Sequence, residues 1–73
     1  MTMANEPVNV RQVRNLLGTF GELTRRDFES KCKVLRIFEP FSAVSVLVRI
    51  GEAHRIPPNP EGEELICFGP RPS

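Results

Sequence analysis

The sequence predicts an α+β fold in which three helices are followed by a two-stranded β-hairpin, and three observations predict it. Apolar residues recur with the period of a helix in three segments that precede Gly51. After Gly51 the apolar residues alternate with a period of two, which is typical of strands. A segment rich in proline and glycine separates the two strands, and such a segment favours a hairpin connection.

The length and composition of the chain indicate one small folded domain. The chain has 73 residues, of which 40% are hydrophobic and 26% are charged. This composition is too apolar for a disordered chain and too charged for a membrane protein. We predict a winged-helix domain over residues 9–68, with flexible ends at 1–8 and 69–73, and no membrane association. The start does not resemble a signal peptide, so we expect a cytoplasmic protein.

The first predicted helix has an apolar face formed by Val10, Val13, Leu16, Leu17 and Phe20. Asn9 is a candidate for its N-cap, because a short polar side chain can accept a hydrogen bond from a free backbone N–H. Gly18 or Gly21 can end this helix.

The second predicted helix begins at a capping signal. Thr24 is followed three residues later by Asp27, a variant of the capping box, and Leu23 and Phe28 occupy the flanking staple positions. The helix is expected to run from Arg25 to about residue 33 or a little further. Its apolar face consists of Phe28, Cys32 and Leu35.

The third predicted helix begins at Pro40 or, if Ser42 is its cap, slightly later. Its apolar face consists of Phe41, Val44, Leu47 and Val48, and Gly51 is a natural stop. The valines at 44, 46 and 48 also fit a strand. The remaining face holds Ser42, Ser45, Arg49 and Glu52. This polar face can lie against a ligand or simply face water.

The two predicted strands are residues 53–56 and 64–68. Between them Asn59-Pro60-Glu61-Gly62 has the residues of a type I turn, with Pro at its second position. Three helices followed by such a hairpin are the winged helix-turn-helix arrangement, in which the third helix is placed for the major groove and the hairpin lies beside it.

Two segments carry a resemblance to known families. Both ends of the predicted domain resemble the ends of small bacterial winged-helix proteins. The segments that carry the resemblance are Val-Arg-Gln-Val-Arg-Asn-Leu-Leu at 10–17 and Gly-Glu-Ala-His-Arg-Ile-Pro-Pro-Asn-Pro-Glu-Gly at 51–62. The families are the FeoC proteins of ferrous-iron transport and the PapI-type fimbrial regulators. FeoC proteins carry a wing cysteine cluster associated with an iron-sulfur centre, whereas this wing has none and only Cys67 follows it. Because such a cluster needs four thiolates, we expect no iron-sulfur cofactor in the monomer.

Charge is distributed unevenly along the chain. Residues 9–37 carry a net charge of +4, whereas residues 38–73 carry −2, so the helical half suits double-stranded DNA better than the acidic hairpin does. We predict that Arg25 and Arg26 contact phosphates. Ser42, Ser45 and Arg49 would face base edges, and Arg49 alone can pair with guanine through two hydrogen bonds. The predicted function is transcription regulation through DNA binding.

Protein interaction is the alternative to DNA binding. The acidic hairpin and the apolar third helix would then contact a protein partner or a second copy, as an accessory protein of ferrous-iron transport would. Val46 and Ile66 are apolar residues that could remain outside the core of a monomer. Small domains often gain stability by pairing.

Catalysis and metal binding are not expected. His54 is the only histidine, and the sequence offers no nucleophile, base and orienting acid at suitable spacings. Cys32 and Cys67 lack neighbours at metal-ligand spacing, so we expect both to be small apolar residues in or near the core.

Overall fold

The structure is a computed structural model, and it describes residues 6–58, 60 and 62–72. Three helices and a three-stranded antiparallel sheet confirm the predicted α+β class. The elements in chain order are α1 (Val8–Phe20), β1 (Glu22–Thr24), α2 (Arg25–Leu35), α3 (Pro40–Arg49), β2 (Ala53–Ile56) and β3 (Leu65–Phe68).

The sheet has one strand more than predicted. Its order is β1-β3-β2, so the last strand of the chain lies in the centre, and Ile66 pairs with Leu23 on one side and with Arg55 on the other. The predicted two-stranded hairpin is therefore wrong as a description of the whole sheet. Strand β1 has three residues, too few for a period of two to stand out in the sequence. Part of the predicted turn at 59–62 lies outside the described residues.

The helices pack over one face of the sheet and enclose a single core. Its members, all buried, are Val10, Val13, Leu16, Leu17, Leu23, Phe28, Cys32, Ile37, Ala43, Val44, Leu47, Ala53 and Ile66. Ile66 is fully buried because it lies on the central strand, so its predicted place outside the core is wrong. Val46 is partly buried and packs against this core. Both cysteines are buried, as predicted.

Helix α1 begins earlier than predicted and is not capped by Asn9. Its N-cap is Pro7, without a side-chain hydrogen bond. The amide of Asn9 instead donates to the carbonyl oxygen of Phe38 at 2.9 Å, which ties α1 to the segment between α2 and α3. Gly21, with a φ of 81°, ends the helix, and Gly18 lies within it. A positive φ favours glycine at this position because a side chain would be strained there.

The side chain that is buried at the end of α2 is not the one that the sequence predicts. Arg36 adopts the left-handed conformation, and Ile37 donates its N–H to the carbonyl oxygen of Cys32 at 3.0 Å, as in a Schellman motif. This turn carries Ile37 into the core. Leu35, which was assigned to the apolar face, is half exposed.

Helix α3 is confirmed as a helix and begins at Pro40. Its buried residues are Ala43, Val44 and Leu47. Val48, assigned to this face by spacing, is 37% exposed because the contacting face of α3 is turned toward Ala43. The predicted strand at 53–56 coincides with β2, and β3 begins one residue later than predicted.

Thr24 caps α2 as the sequence predicts, since its Oγ1 accepts from the N–H of Asp27 at 3.2 Å. We expect Thr24→Ala to lower the free energy of unfolding by about 1 kcal/mol, because one N–H of the first turn loses its partner. Urea unfolding followed by circular dichroism measures this difference. Thr24→Ser keeps the hydroxyl and is the matched control, so equal losses in both variants would contradict a capping role.

Candidate nucleic-acid interface

The outward face of α3 carries three of the predicted site residues. Ser42, Ser45 and Arg49 are exposed and share one side of the helix, because Ala43 and Leu47 turn the opposite side toward the core. The Oγ of Ser45 donates to the carbonyl oxygen of the preceding turn at 3.2 Å. Its side chain therefore lies close to the helix. Two short side chains beside one long arginine give a face that another surface can approach closely.

Glu52, the fourth residue of the predicted polar face, is not on it. The residue follows the end of α3, and its carboxylate accepts a hydrogen bond from Nε of Arg14 on α1 at 2.6 Å. Arg14 also donates from both terminal nitrogens to Glu6, at 3.0 and 2.8 Å. All three nitrogens of Arg14 are thus engaged, which makes this arginine a structural tie between α1, the segment before it and the turn after α3.

Arg25 and Arg26 lie at the start of α2, and the first of them reaches α3. The guanidinium carbon of Arg25 is 5.2 Å from the ring centroid of Phe41, in the first turn of α3. Its Nε is 4.0 Å from a carboxylate oxygen of Glu29. Arg26 is exposed and makes no ion pair with the described residues. The side chain of Arg25 therefore extends from the first turn of α2 to the first turn of α3.

Two residues that sequence reasoning did not assign to the site also lie here. Arg55 on β2 has its guanidinium carbon 6.0 Å from the ring centroid of Phe41. Its Nε donates to Oε2 of Glu64, just before β3, at 2.5 Å. A sequence signal for this contact is the pair of opposite charges on the two predicted strands, 53–56 and 64–68, because such pairs stabilise neighbouring strands. Phe41 was assigned to the core, and its ring is partly buried.

Acidic residues lie close to the basic ones around this face. A shallow groove beside the start of α2 is lined by both arginines and by the glutamates at 29, 63 and 64. The hydrogen bond from Arg55 lowers the pKa of Glu64 from its ordinary value, so that carboxylate is charged at neutral pH. Arg49 makes no ion pair with any described residue. The local charge is therefore only weakly positive, and Arg26 and Arg49 contribute most to it.

Acid is expected to destabilise the fold through two carboxylates. The hydrogen bond from Arg14 lowers the pKa of Glu6, as that from Arg55 lowers the pKa of Glu64. A lowered pKa in the folded state stabilises the protein above the unfolded value of about 4.3, and this contribution is lost as the pH falls through the folded value. Urea unfolding from neutral pH to about pH 3 measures the loss.

The matched control for acid sensitivity is the double variant Glu6→Gln, Glu64→Gln. It removes both titrating groups, so the free energy of unfolding is expected to fall less with acid than in the wild type. An equally steep fall in the double variant would contradict the assignment of acid sensitivity to these two carboxylates.

A separate apolar groove lies between α1 and α2, on the side of α2 away from α3. Phe20, Val34 and Leu35 line it and are 50%, 78% and 53% exposed. The ammonium of Lys31 lies 4.6 Å from the ring centroid of Phe20. Exposed apolar side chains grouped in this way are typical of contact surfaces.

His54 lies on β2, away from the face just described. Its Nδ1 is 2.9 Å from the carbonyl oxygen of Gly69, so the imidazole links β2 to the end of β3.

Within the described ranges, no group of three or more histidine, cysteine or acidic residues is arranged to hold a metal ion. None of the helices in that part of the chain is long and apolar enough to cross a membrane.

Comparison of the chain with protein-family models, with curated proteins and with solved structures finds no match.

Proposed function

We propose that this protein is a small winged-helix regulator that binds double-stranded DNA through the outward face of α3. The exposed face of Ser42, Ser45 and Arg49, with Arg25 beside its first turn, is the observation that carries the proposal. The topology also supports the proposal. Strand β1 lies between the first two of three helices in the chain, and β2 and β3 are neighbours in the sheet. In a winged helix the third helix enters the major groove.

The residues of this face would have different roles in the complex. Arg49 can pair with O6 and N7 of guanine, which is the commonest specific contact in the major groove. Ser42 and Ser45 are short enough to allow the helix to approach the base edges and can hydrogen-bond to them. Arg25 and Arg26 would contact phosphates, which position a protein on the duplex without reading its sequence.

The electrostatics of the face predict weak binding that depends strongly on salt. Glu29 lies near Arg25, and Glu64 accepts a hydrogen bond from Arg55. Glu39 accepts a hydrogen bond from the hydroxyl of Ser42 on the face itself, and all three carboxylates reduce the attraction to phosphate. Non-specific binding by DNA-binding proteins has dissociation constants of about 10⁻⁴–10⁻⁶ M at physiological salt. We expect the dissociation constant of this protein for non-specific DNA to lie at the weak end of that range. Binding should be tighter at low salt and to the DNA sequence that the protein recognises.

Fluorescence anisotropy with a labelled random duplex, at about 50 and 200 mM salt, tests the proposal. Binding at the lower salt that weakens at the higher salt is the expected result. Backbone amide shifts recorded with and without the duplex should then change mainly in α2 and α3. Absence of binding at low salt, with protein at about 10⁻⁴ M, would overturn the proposal.

A second candidate function is protein interaction, and the apolar groove between α1 and α2 favours it. Val34 is the most exposed large apolar residue there, at 78%. If this groove pairs with a second copy, sedimentation equilibrium will show a dimer that Val34→Glu dissociates. If the protein is a monomer at all concentrations, pairing of two copies is ruled out. The partner bound in this groove would then have to be a different protein.

A further inference from the structure

The ring of Phe41 lies where three elements of the fold meet. It packs in an edge-to-face arrangement with the buried ring of Phe28, with the centroids 5.3 Å apart and the planes at 66°. The guanidinium carbons of Arg25 and Arg55 lie 5.2 and 6.0 Å from its centroid. One aromatic side chain of α3 therefore contacts an arginine of α2 and an arginine of β2.

The two guanidinium groups keep most of their hydrogen-bond donors available. Arg55 donates from Nε to Glu64, and Arg25 approaches Glu29 through Nε at 4.0 Å. Among the described residues, no acceptor is hydrogen-bonded to a terminal nitrogen of either arginine. Arg14 is different, because all three of its nitrogens are engaged. The terminal nitrogens are the edge through which a guanidinium binds two oxygens of a phosphate.

We propose that Phe41 is a positioning residue that holds Arg25 and Arg55 as a pair of phosphate contacts on the DNA backbone. The inference rests on the proposed function and adds Arg55 and Phe41 to the interface. Stacking on an aromatic face restricts a long side chain and is attractive in itself. The arginines therefore lose less conformational freedom on binding than freely moving side chains would.

The two charges lie close enough to act on one stretch of DNA backbone. Since both guanidinium carbons are measured from the same centroid, they lie at most about 11 Å apart. One DNA strand carries about three phosphates over this length of helix axis. Glu64 accepts a hydrogen bond from Nε of Arg55, and Glu29 lies 4.0 Å from Nε of Arg25, so neither carboxylate occupies the terminal edge. A phosphodiester is therefore the ligand that this arrangement fits.

The test compares Phe41→Leu with Phe20→Leu in binding to a short duplex between about 50 and 200 mM salt. Phe20 is the matched control, because its ring also contacts a cation, Lys31, but lies in the groove between α1 and α2. Phe41→Leu should weaken binding about 5- to 20-fold, since neither arginine then has an aromatic face to stack on. The slope of log K against log salt should become shallower by about 1–2, because one or both arginines no longer neutralise a phosphate. Phe20→Leu should change neither.

A purely structural role for Phe41 would lower stability without changing the salt slope. Thermal unfolding of each variant separates the two effects, and Phe41→Tyr, which keeps the ring, should restore both affinity and slope. Arg55→Gln should weaken binding in the wild-type background and have little further effect in Phe41→Leu. Additive effects of these two substitutions would overturn the inference.

The two levels of proposal fail in distinguishable ways. A wild-type protein that binds, together with a Phe41→Leu variant whose slope is unchanged, overturns the positioning role alone. A wild type without binding at low salt overturns the proposed function and this inference together.

Discussion

Replacement of Phe28 by alanine is expected to remove a large part of the stability of this protein. Phe28 is fully buried and is the largest side chain in the core. Truncation of a buried phenylalanine costs about 3–5 kcal/mol, because the transfer free energy of the ring is forfeited and the side chains around the new cavity pack against empty space. A domain of this length has a total stability of only about 4–11 kcal/mol. The urea midpoint of Phe28→Ala is therefore expected to fall far below that of the wild type.

Urea unfolding followed by circular dichroism measures this loss. Phe38→Ala is the matched control, because Phe38 is 76% exposed and its truncation leaves no internal cavity. Surface substitutions of this kind usually change stability by less than about 0.5 kcal/mol. A Phe28→Ala midpoint close to that of Phe38→Ala would show that the core around α2 can collapse onto the missing ring.

The second large effect is expected on DNA affinity. Arg49→Ala should weaken binding to a specific site by about 1–3 kcal/mol, the range measured for bidentate arginine–guanine contacts. Arg49 is exposed on the outward face of α3 and makes no ion pair with the described residues. Its guanidinium therefore does not support the fold, so the unfolding free energy should remain within about 0.5 kcal/mol of the wild type.

Sites selected from a random duplex library provide the DNA for this measurement. Arg11→Ala removes an exposed arginine of α1 that is not among the proposed DNA contacts, and is the matched control. Arg49→Ala should also relax base preference at one position, whereas loss of a phosphate contact weakens all sequences equally. Uniform weakening would assign Arg49 to the backbone instead of a base.

The helices were predictable because each is long enough to show its period. Helix α2 also has a start signal that depends on two neighbouring residues, and the hydrogen bond between Thr24 and Asp27 forms as expected. Strand β1 was not predictable from a pattern of three residues. It exists because β3 offers an edge beside Leu23, which is tertiary information.

The segment between α2 and α3 shows a second limit of sequence patterns. Helical spacing assigns Leu35 to the buried face. In the structure one left-handed residue, Arg36, ends the helix, and Ile37 is buried in the core in place of Leu35. Arginine has no preference for this conformation, so nothing local marks the turn. Once the turn forms, packing determines which neighbour is buried.

The candidate site likewise has a part that the sequence predicts and a part that depends on the tertiary structure. The placement of Ser42, Ser45 and Arg49 on one exposed face follows from the helical period alone. The contacts of Arg25 and Arg55 with Phe41 require that α2, α3 and β2 be arranged in space. Such convergence of distant segments leaves no spacing rule in the sequence.

The central position of β3 has a consequence for the order in which the protein folds during synthesis. Strands β1 and β2 both hydrogen-bond to β3, and neither is the neighbour of the other. While residues 65–68 are still inside the ribosome, the emerged chain can form its helices but has no partner for either strand. The sheet can therefore close only after β3 has emerged. Its pairing with β2 is a local hairpin, whereas its pairing with β1 joins residues more than 40 positions apart, and such distant pairings are slow to form. Until then Leu23 and Ala53 remain without their strand partner, and the nascent chain exposes edges that invite pairing with other chains.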